Sequence, residues 1–451
     1  MRAVWKTSAG RDNSDSPQRV QTSSPAWGTA GRIPECPGRP TLPPLSKARS
    51  PEVAHALMSA ANQTSEPRHA SPELVAELRR EADRLGFARL GIAPADPANR
   101  PPFIHEAFRR WLDAGLAGTM EPWLREHEPL RRDARVHLED VQSVIMLASD
   151  HATVADDAAG RAGRGRVARY AWGSDYHDLL RARVNELAEW LERRTPGCRT
   201  RGFIDSVPFP EREYGWLAGL GWIGKNTLLI DPRAGSYFFL TVLLTTADLP
   251  ADVPLEVDHC GSCTACLDAC PTQAFVEPRV LDASRCISAL TIEDHGPVEP
   301  TLRSRLGDWL FGCDVCQEVC PWNRHAPGSA EPTFQPLGNA AIPLADLLAL
   351  DDAGFRARFR GTPLWRAKRR GLVRSAALVL GNRPDPASAD ALVAALADVD
   401  DVVRGAAAWA LGRWIEAGVL VDRCRAMLTA RRGLETDAHV CSEIDAALAR
   451  Q

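Results

Sequence analysis

Cys260-Gly-Ser-Cys263-Thr-Ala-Cys266-Leu-Asp-Ala-Cys270-Pro271 is a complete C-x2-C-x2-C-x3-C-P run. In ferredoxins of the bacterial type, the first three thiolates of such a run grip one iron–sulfur cube and the fourth ligates another. Close spacing lets one tight loop reach three corners, and the Cys-Pro turn sends the chain away toward the second cube. The rest of the second set is spread out: Cys286, then Cys313-Asp-Val-Cys316-Gln-Glu-Val-Cys320-Pro321. Its ending repeats the first run, and Cys286 replaces the missing local first ligand. The crossed pairing assigns Cys260, Cys263, Cys266 and Cys320 to one [4Fe–4S] cluster, and Cys270, Cys286, Cys313 and Cys316 to the other. Zinc also takes C-x2-C pairs, but zinc sites rarely need two Cys-Pro runs with this spacing. Cys36, Cys198, Cys424 and Cys441 fall outside the pattern and read as ordinary thiols.

A chain of 451 residues exceeds a single hydrophobic core, so two or three domains are expected around this segment. The formal net charge of -4 gives no general reason for a nucleic-acid partner, which would require a local basic patch. No stretch approaches the roughly 20 apolar residues of a membrane span. Met1–Lys6 leads into polar, Pro-rich sequence with neither an apolar signal region nor a twin arginine. A cytosolic monomer is expected, in a compartment where clustered cysteines more often bind metal than form disulfides.

Residues 1–70 are rich in Ser, Pro, Arg, Gly and Ala without periodicity, and are expected to be a disordered extension. Met58 is a candidate for the true start. Order is expected from Ser71-Pro72-Glu73, with Ser as N-cap, Leu74, Leu78, Ala82 and Leu85 at helical spacing, and Gly86 as the stop. Ser143–Ala148, Phe203-Ile204 and Tyr237–Thr246 read as strands. Leu180, Val184, Leu187 and Leu191 mark a second amphipathic helix, and the Gly/Arg/Ala-rich stretch Asp156–Arg166 reads as a mobile loop.

The fold class is therefore α+β: a mixed α/β domain over 71–255, a two-cluster ferredoxin-like domain over 256–330, and a helical domain over 331–451. In the last of these, Val373-Arg374-Ser375-Ala376-Ala377 through Leu380-Gly381 resembles Val403-Arg404-Gly405-Ala406-Ala407 through Leu411-Gly412. The repetition suggests stacked HEAT-like pairs, with a small helical bundle as the plainer reading.

Three motifs fail on context. Gly219-Leu-Gly221-Trp-Ile-Gly224 spells G-x-G-x-x-G, but helical sequence precedes it and extended sequence follows, the reverse of a dinucleotide site. The same stretch nearly makes a P-loop, yet Asn226 stands where Ser or Thr should bind magnesium. Asp175-Tyr-His177 opens like a D-x-H-x-x-G cobalamin motif, but Leu180 replaces the glycine.

Longer blocks carry a family likeness. Asp205-Ser-Val-Pro-Phe-Pro-Glu211-Arg212, Gly221-Trp-Ile-Gly-Lys-Asn-Thr-Leu-Leu-Ile230, Gly235-Ser-Tyr-Phe-Phe-Leu240 and Phe311-Gly-Cys-Asp-Val-Cys-Gln-Glu-Val-Cys-Pro-Trp-Asn323 resemble epoxyqueuosine reductase. The likeness spans roughly 71–323, and the helical tail is similar to that of the family's longer members. It departs at Pro210, where the family has Leu, and at Ala134, Glu139 and Asp140, where it has Pro, Pro and Gly.

The resemblance implies a cobalamin-dependent enzyme, related to reductive dehalogenases, that reduces the epoxide of epoxyqueuosine at the tRNA wobble position in the last step of queuosine synthesis. It implies that the clusters supply the electrons, with a ferredoxin or flavodoxin as donor. Asp205 takes the family's catalytic aspartate position, as the proton donor. Arg131, Ala168, Tyr170, Asp205, Lys225, Asn226, Ser236 and Tyr237 fall in the segments that line the cobalamin pocket. Arg366, Lys368, Arg369, Arg370, Arg374 and Arg404 form the candidate tRNA surface. The competing readings are a two-cluster electron relay, a dehalogenase-like enzyme acting on a small substrate, and a helical scaffold with a vestigial cluster module. A relay or scaffold has no need of the 205–212 and 221–230 blocks, and a dehalogenase would be expected to carry an export signal.

Overall fold

The computed structural model describes residues 71–99, 101–153 and 160–450. The expected N-terminal extension, Met58 and Cys36 lie outside the described residues. Helix Pro72–Arg84 starts as its sequence demands: the Ser71 hydroxyl accepts from the Leu74 amide at 3.3 Å. Gly86 then ends the turn at φ +84°.

The first sheet has the spatial order Arg89–Pro94, Ser143–Asp150, Phe238–Thr245, Thr200–Phe203, with every neighbouring pair antiparallel. The last strand ends one residue before Ile204, slightly earlier than its sequence suggested. The central strands are apolar at successive positions because helices cover both faces. Ile145, Leu147 and Leu243 pack with Leu78 and Leu187 of helices Pro72–Arg84 and Tyr176–Arg194. Val144, Met146 and Val242 pack with Tyr214 and Leu217 of helix Glu211–Leu217. The Gly219–Gly224 stretch follows that helix and runs into a hairpin pairing Trp222–Ile223 with Leu229–Ile230. It therefore lacks the strand–turn–helix context of a nucleotide site.

A second sheet joins distant parts of the chain. Trp309–Phe311 lies parallel to Arg164–Val167, which lies antiparallel to Ala341–Pro343. These three strands come from 256–330, 71–255 and 331–451 respectively, so the three segments share one sheet. The loop expected over Asp156–Arg166 is corrected at its end, because Arg164–Val167 is a strand. Residues 154–159 lie outside the described residues. Gly165 is required for close approach, since a Cβ there would lie 2.8 Å from Leu310 Cβ. One core runs from Val167 and Phe311 through Leu344 and Leu372 to Leu411.

The self-similar segments are helices Lys368–Asn382 and Asp401–Glu416. Their likeness has a packing cause. A Cβ on Gly381 would lie 2.9 Å from Ala410 Cα, and one on Gly412 would lie 2.9 Å from Ala447 Cα. The same position in each repeat is thus where the next helix comes closest. Among the described residues, no helix is long and apolar enough to cross a membrane.

Candidate active site

The eight clustered cysteines separate into two neighbourhoods. Burial pushes Cys266 up to about 11, helped by its thiol neighbours Cys260, Cys320 and Cys263. Burial also raises Cys320, which stands near Cys260 and Cys263. Cys313 is raised by burial with Cys286 and Cys270 beside it, and Cys316 by burial with Cys313 and Cys286 beside it. The fourth cysteine of each run therefore stands among the other run's set. Thiols gathered this way oppose one another's ionisation, and bound iron supplies the positive charge that four thiolates need. The one-turn helices Ala265–Asp268 and Val315–Glu318 carry equivalent cysteines and pack against each other.

Three of the residues assigned to a cofactor pocket are committed to this cysteine segment. Lys225 Nζ donates to the carbonyls of Gly261 (2.7 Å) and Cys263 (2.9 Å). Asn226 Nδ2 donates to the Cys316 carbonyl at 3.4 Å, and Ser236 Oγ donates to Gln317 Oε1 at 3.0 Å. They dock one wall of the site onto the thiol sets.

Ala168 and Tyr170 follow strand Arg164–Val167 on the same wall. The Ala168 amide donates to the Phe311 carbonyl at 2.8 Å, and the Tyr170 ring centroid lies 6.1 Å from that of Phe311. Between them, the Arg169 amide donates to Asp314 Oδ2 at 2.7 Å, and the Arg169 guanidinium lies 5.0 Å over the Tyr237 ring. Burial pushes Asp314 up to about 6. The hydroxyl of Tyr237 is buried without a hydrogen-bond partner. Arg131 stands on helix Glu128–Arg132, donates to the Phe209 carbonyl at 3.3 Å and covers the Phe108 ring at 5.0 Å. Its bond to Phe209 supports the loop after Asp205.

That loop links strand Thr200–Phe203 to helix Glu211–Leu217. Asp205 adopts φ +43°, a left-handed conformation that a non-glycine residue takes only when its surroundings impose it. The Tyr176 hydroxyl donates to Asp205 Oδ2 at 3.3 Å. The Tyr176 ring is stacked against His177 at 4.2 Å and Phe239 at 4.0 Å, so that hydroxyl is aimed by a rigid support. Asp205 keeps access to solvent, yet the protein around it raises its pKa, against the downward pull of His177, Arg366 and Tyr176. Accessible but poorly solvated, it stands on the wall of a recess.

Glu211 shares that environment. Its Oε1 is buried without a partner, and burial followed by the Asp205 charge pushes its pKa up to about 7. Tyr170 and Tyr176 are also raised, by burial and then by Asp205. The wall thus gathers groups whose pKa values are all raised. Buried, partnerless Tyr237 OH, Glu211 Oε1 and His151 Nδ1 suit a large ligand that brings hydrogen-bonding groups of its own.

Sequence reasoning missed several members of this site. Glu211 was visible in the 205–212 block but carried no assigned role, and His177 lay in a motif set aside for another reason. Tyr176 and Glu293 had no local signal, because only folding brings them near Asp205.

The basic stripe needs correction. Arg374 is 1% exposed and serves backbone carbonyls. Arg369 pairs with Asp398, Arg370 with Asp400 and Asp401, and Arg404 with Glu435. Helical spacing placed these cations together in sequence, but the fold engages each in ties between elements, with Arg374 buried and Arg370 still part-exposed. Arg366 and Lys368 remain exposed, and Arg366 also pairs with Glu293 at 2.9 Å.

Known proteins match this arrangement. Residues 259–323 match the family model described as a 4Fe-4S double cluster binding domain, and residues 131–206 match the one described as Epoxyqueuosine reductase QueG, DUF1730. The epoxyqueuosine reductase of Pseudomonas aeruginosa is 41% identical over 337 residues, covering 73% of this chain and 91% of its own length. That of Escherichia coli is 37% identical over 316 residues, covering 69% and 82%. A crystal structure of epoxyqueuosine reductase with an epoxyqueuosine-modified tRNA-Tyr stem loop aligns at TM-score 0.76 and 30% identity, over 83% of this chain and 98% of that one. The Bacillus subtilis enzyme, described with an aspartate-bearing catalytic loop swung out of its active site, aligns at TM-score 0.75 and 30% identity over the same shares.

Proposed function

Because this chain belongs to the epoxyqueuosine reductase family, we propose that it removes the epoxide oxygen of epoxyqueuosine at the tRNA wobble position, giving queuosine as the last step of its synthesis. The chain is an oxidoreductase with a 4Fe-4S double cluster domain. Removing the epoxide oxygen as water consumes two electrons and two protons, so the site must manage both.

The cysteine sets fit iron–sulfur clusters, which when bound supply one-electron carriers. Cys263 is exposed, and its set backs onto Lys225; that side faces a ferredoxin or flavodoxin donor. Cys316 backs onto Asn226 and the Tyr237 side of the recess. Cobalamin, when bound, supplies a nucleophilic cobalt for the epoxide carbon. Ala168, Tyr170, Asp205 and Tyr237 would hold it, and the partnerless Tyr237 hydroxyl suits its amide-fringed ring. In this reading 71–255 is the cobalamin domain, 256–330 the two-cluster domain, and 331–451 a HEAT-like support.

Asp205 carries the reading. A carboxyl that reaches solvent and whose pKa is raised by the protein around it holds a proton more readily at the recess wall than a free aspartate does. Tyr176 orients the carboxyl, so the proton faces the recess and the departing oxygen leaves protonated. Glu211, raised to about 7, is placed to restore the proton or supply the second one. Exposed Arg366 and Lys368 offer phosphate contacts to the anticodon loop near this wall. The reaction takes place where tRNA resides, in the cytosol.

The test is anaerobic reconstitution with iron, sulfide and cobalamin, followed by assay under reducing conditions on tRNA bearing epoxyqueuosine. Queuosine in the digested tRNA is the expected product. Its absence, with clusters and cobalamin bound, would rule the reading out.

A further inference from the structure

Cys286 reaches its thiol set from a distance, because a long excursion, residues 287–312, separates it from Cys313. In the first run, a tight loop holds three ligands in place through sequence proximity alone. The second run lacks that device, so something else must fix Cys286 relative to Cys313.

Cys286 is the N-cap residue of helix Ile287–Ile292. Near the end of that helix, the fully buried Thr291 donates through Oγ1 to the Ile287 carbonyl at 2.7 Å. The same oxygen accepts from the Gly312 amide at 2.9 Å. One hydroxyl therefore ties the helix that begins at Cys286 to the residue immediately before Cys313.

The far side of this turn is held from helix Lys368–Asn382. Arg374 donates to the carbonyls of Leu290 (2.5 Å), Asp294 (2.8 Å) and Gly296 (2.6 Å). These bonds go to carbonyls, with no carboxylate among them. Burying a guanidinium on such terms is costly, and it persists where a bent chain leaves several carbonyls that nothing else satisfies. Farther along the excursion, Asn382 Nδ2 donates to the Arg303 carbonyl at 2.8 Å and the Gly307 carbonyl at 3.0 Å. Arg303 in turn pairs with Glu443 at 2.7 Å. The helical segment thus fastens the excursion at several points before it returns as strand Trp309–Phe311.

We infer that Arg374 and Thr291 are positioning residues for the cluster bound by Cys270, Cys286, Cys313 and Cys316, and that the C-terminal helices form part of that cluster's frame. The inference rests on the cluster reading above and adds to it. Groups behind metal ligands set ligand geometry and thereby cluster retention and potential. The first set takes three of its ligands from one tight loop and the fourth from Cys320, so none of its ligands sits on helix Ile287–Ile292.

The test uses the full chain reconstituted anaerobically with iron and sulfide, without cobalamin, read by iron content and by an electron paramagnetic resonance redox titration. The wild type should hold about eight irons in two clusters. Thr291→Val removes the acceptor with little change of shape, and Arg374→Lys keeps the charge while serving fewer carbonyls. Both should lose about half the iron, or shift the midpoint potential of one cluster alone, the one also lost in Cys286→Ser. Thr291→Ser should restore both clusters. Should Arg374→Lys fail to fold, the Thr291 pair decides alone. Wild-type iron and potentials in Thr291→Val, or equal loss of both clusters, would overturn the inference. A wild type that binds no iron would instead overturn the cluster reading itself.

Discussion

Gly312 lies so close to Ala168 that a Cβ on Gly312 would fall 2.5 Å from Ala168 Cβ. Gly312 also adopts φ +67° and immediately precedes Cys313, while Ala168 opens the wall that carries Tyr170. The contact sets how closely a thiol set approaches the recess. Gly312→Ala should combine left-handed strain of about 1–2 kcal/mol with displacement of the turn before Cys313. A lower melting temperature and reduced iron content are expected from thermal denaturation and iron analysis.

Asp205→Asn removes the acid but preserves shape. Turnover on epoxyqueuosine-containing tRNA should fall by about 10²–10⁴-fold, the usual worth of a positioned acid. Cobalamin retention, read from visible absorbance, should fall far less than turnover, because the amide keeps the carboxyl's shape and Ala168, Tyr170 and Tyr237 are unchanged. Wild-type turnover in this variant would remove Asp205 from the chemistry.

Glu211 makes stability depend on pH in a defined direction. Its folded pKa is raised from 4.5 to about 7, so between these values the folded state binds more protons than the unfolded state. Stability therefore falls as pH rises through that window, and the penalty is fully present above it. Glu211→Gln should be more stable than wild type by on the order of 2 kcal/mol at pH 8, and should show no advantage near pH 4. Denaturant titrations at the two pH values measure the difference.

The crossed arrangement of the thiols distinguishes the two Cys-Pro cysteines. Cys320→Ser should weaken the cluster of Cys260, Cys263 and Cys266, whereas Cys270→Ser should weaken that of Cys286, Cys313 and Cys316. Spectra of the two variants should show complementary losses. Cys320→Ser should lose the same signal as Cys263→Ser; loss instead of the signal missing in Cys286→Ser would mean that each run holds its own cluster.

Arg366 and Arg404, both placed by sequence on one basic surface, should now behave differently. Arg366→Ala should weaken binding of a tRNA stem loop and reduce its salt slope by about 0.7–0.9, the share of one phosphate contact. Arg404 is one of two arginines paired with the buried Glu435, so Arg404→Ala, with Arg431 still in place, should cost about 1–2 kcal/mol of stability and leave the salt slope unchanged. Fluorescence binding across a salt series and thermal melts separate the two effects.

Local chemistry was legible in the residues themselves. The spacing of the cysteines, the Ser71–Pro72 helix start and the apolar strand over 143–148 each depend on neighbours a few positions away, and sequence records such neighbours directly. The repeated glycines at 381 and 412 were visible as a pattern, although the reason for them, close approach of the next helix, was not. Other features were decided by tertiary structure alone. The cations at 369, 370, 374 and 404 look free in sequence, because their carboxylate and carbonyl partners come from other elements. Glu211 and Asp205 acquire their raised pKa values only when folding packs protein around both.

The two thiol sets with which the sequence reading began show the same division. Sequence alone singled out the eight cysteines as candidate ligands of a 4Fe-4S double cluster domain, because ligand spacing is a local property. Tertiary structure decided what holds the distant Cys286 in place and which set faces the recess, because those depend on Thr291, Arg374 and Asn226 meeting backbone atoms far away in the chain.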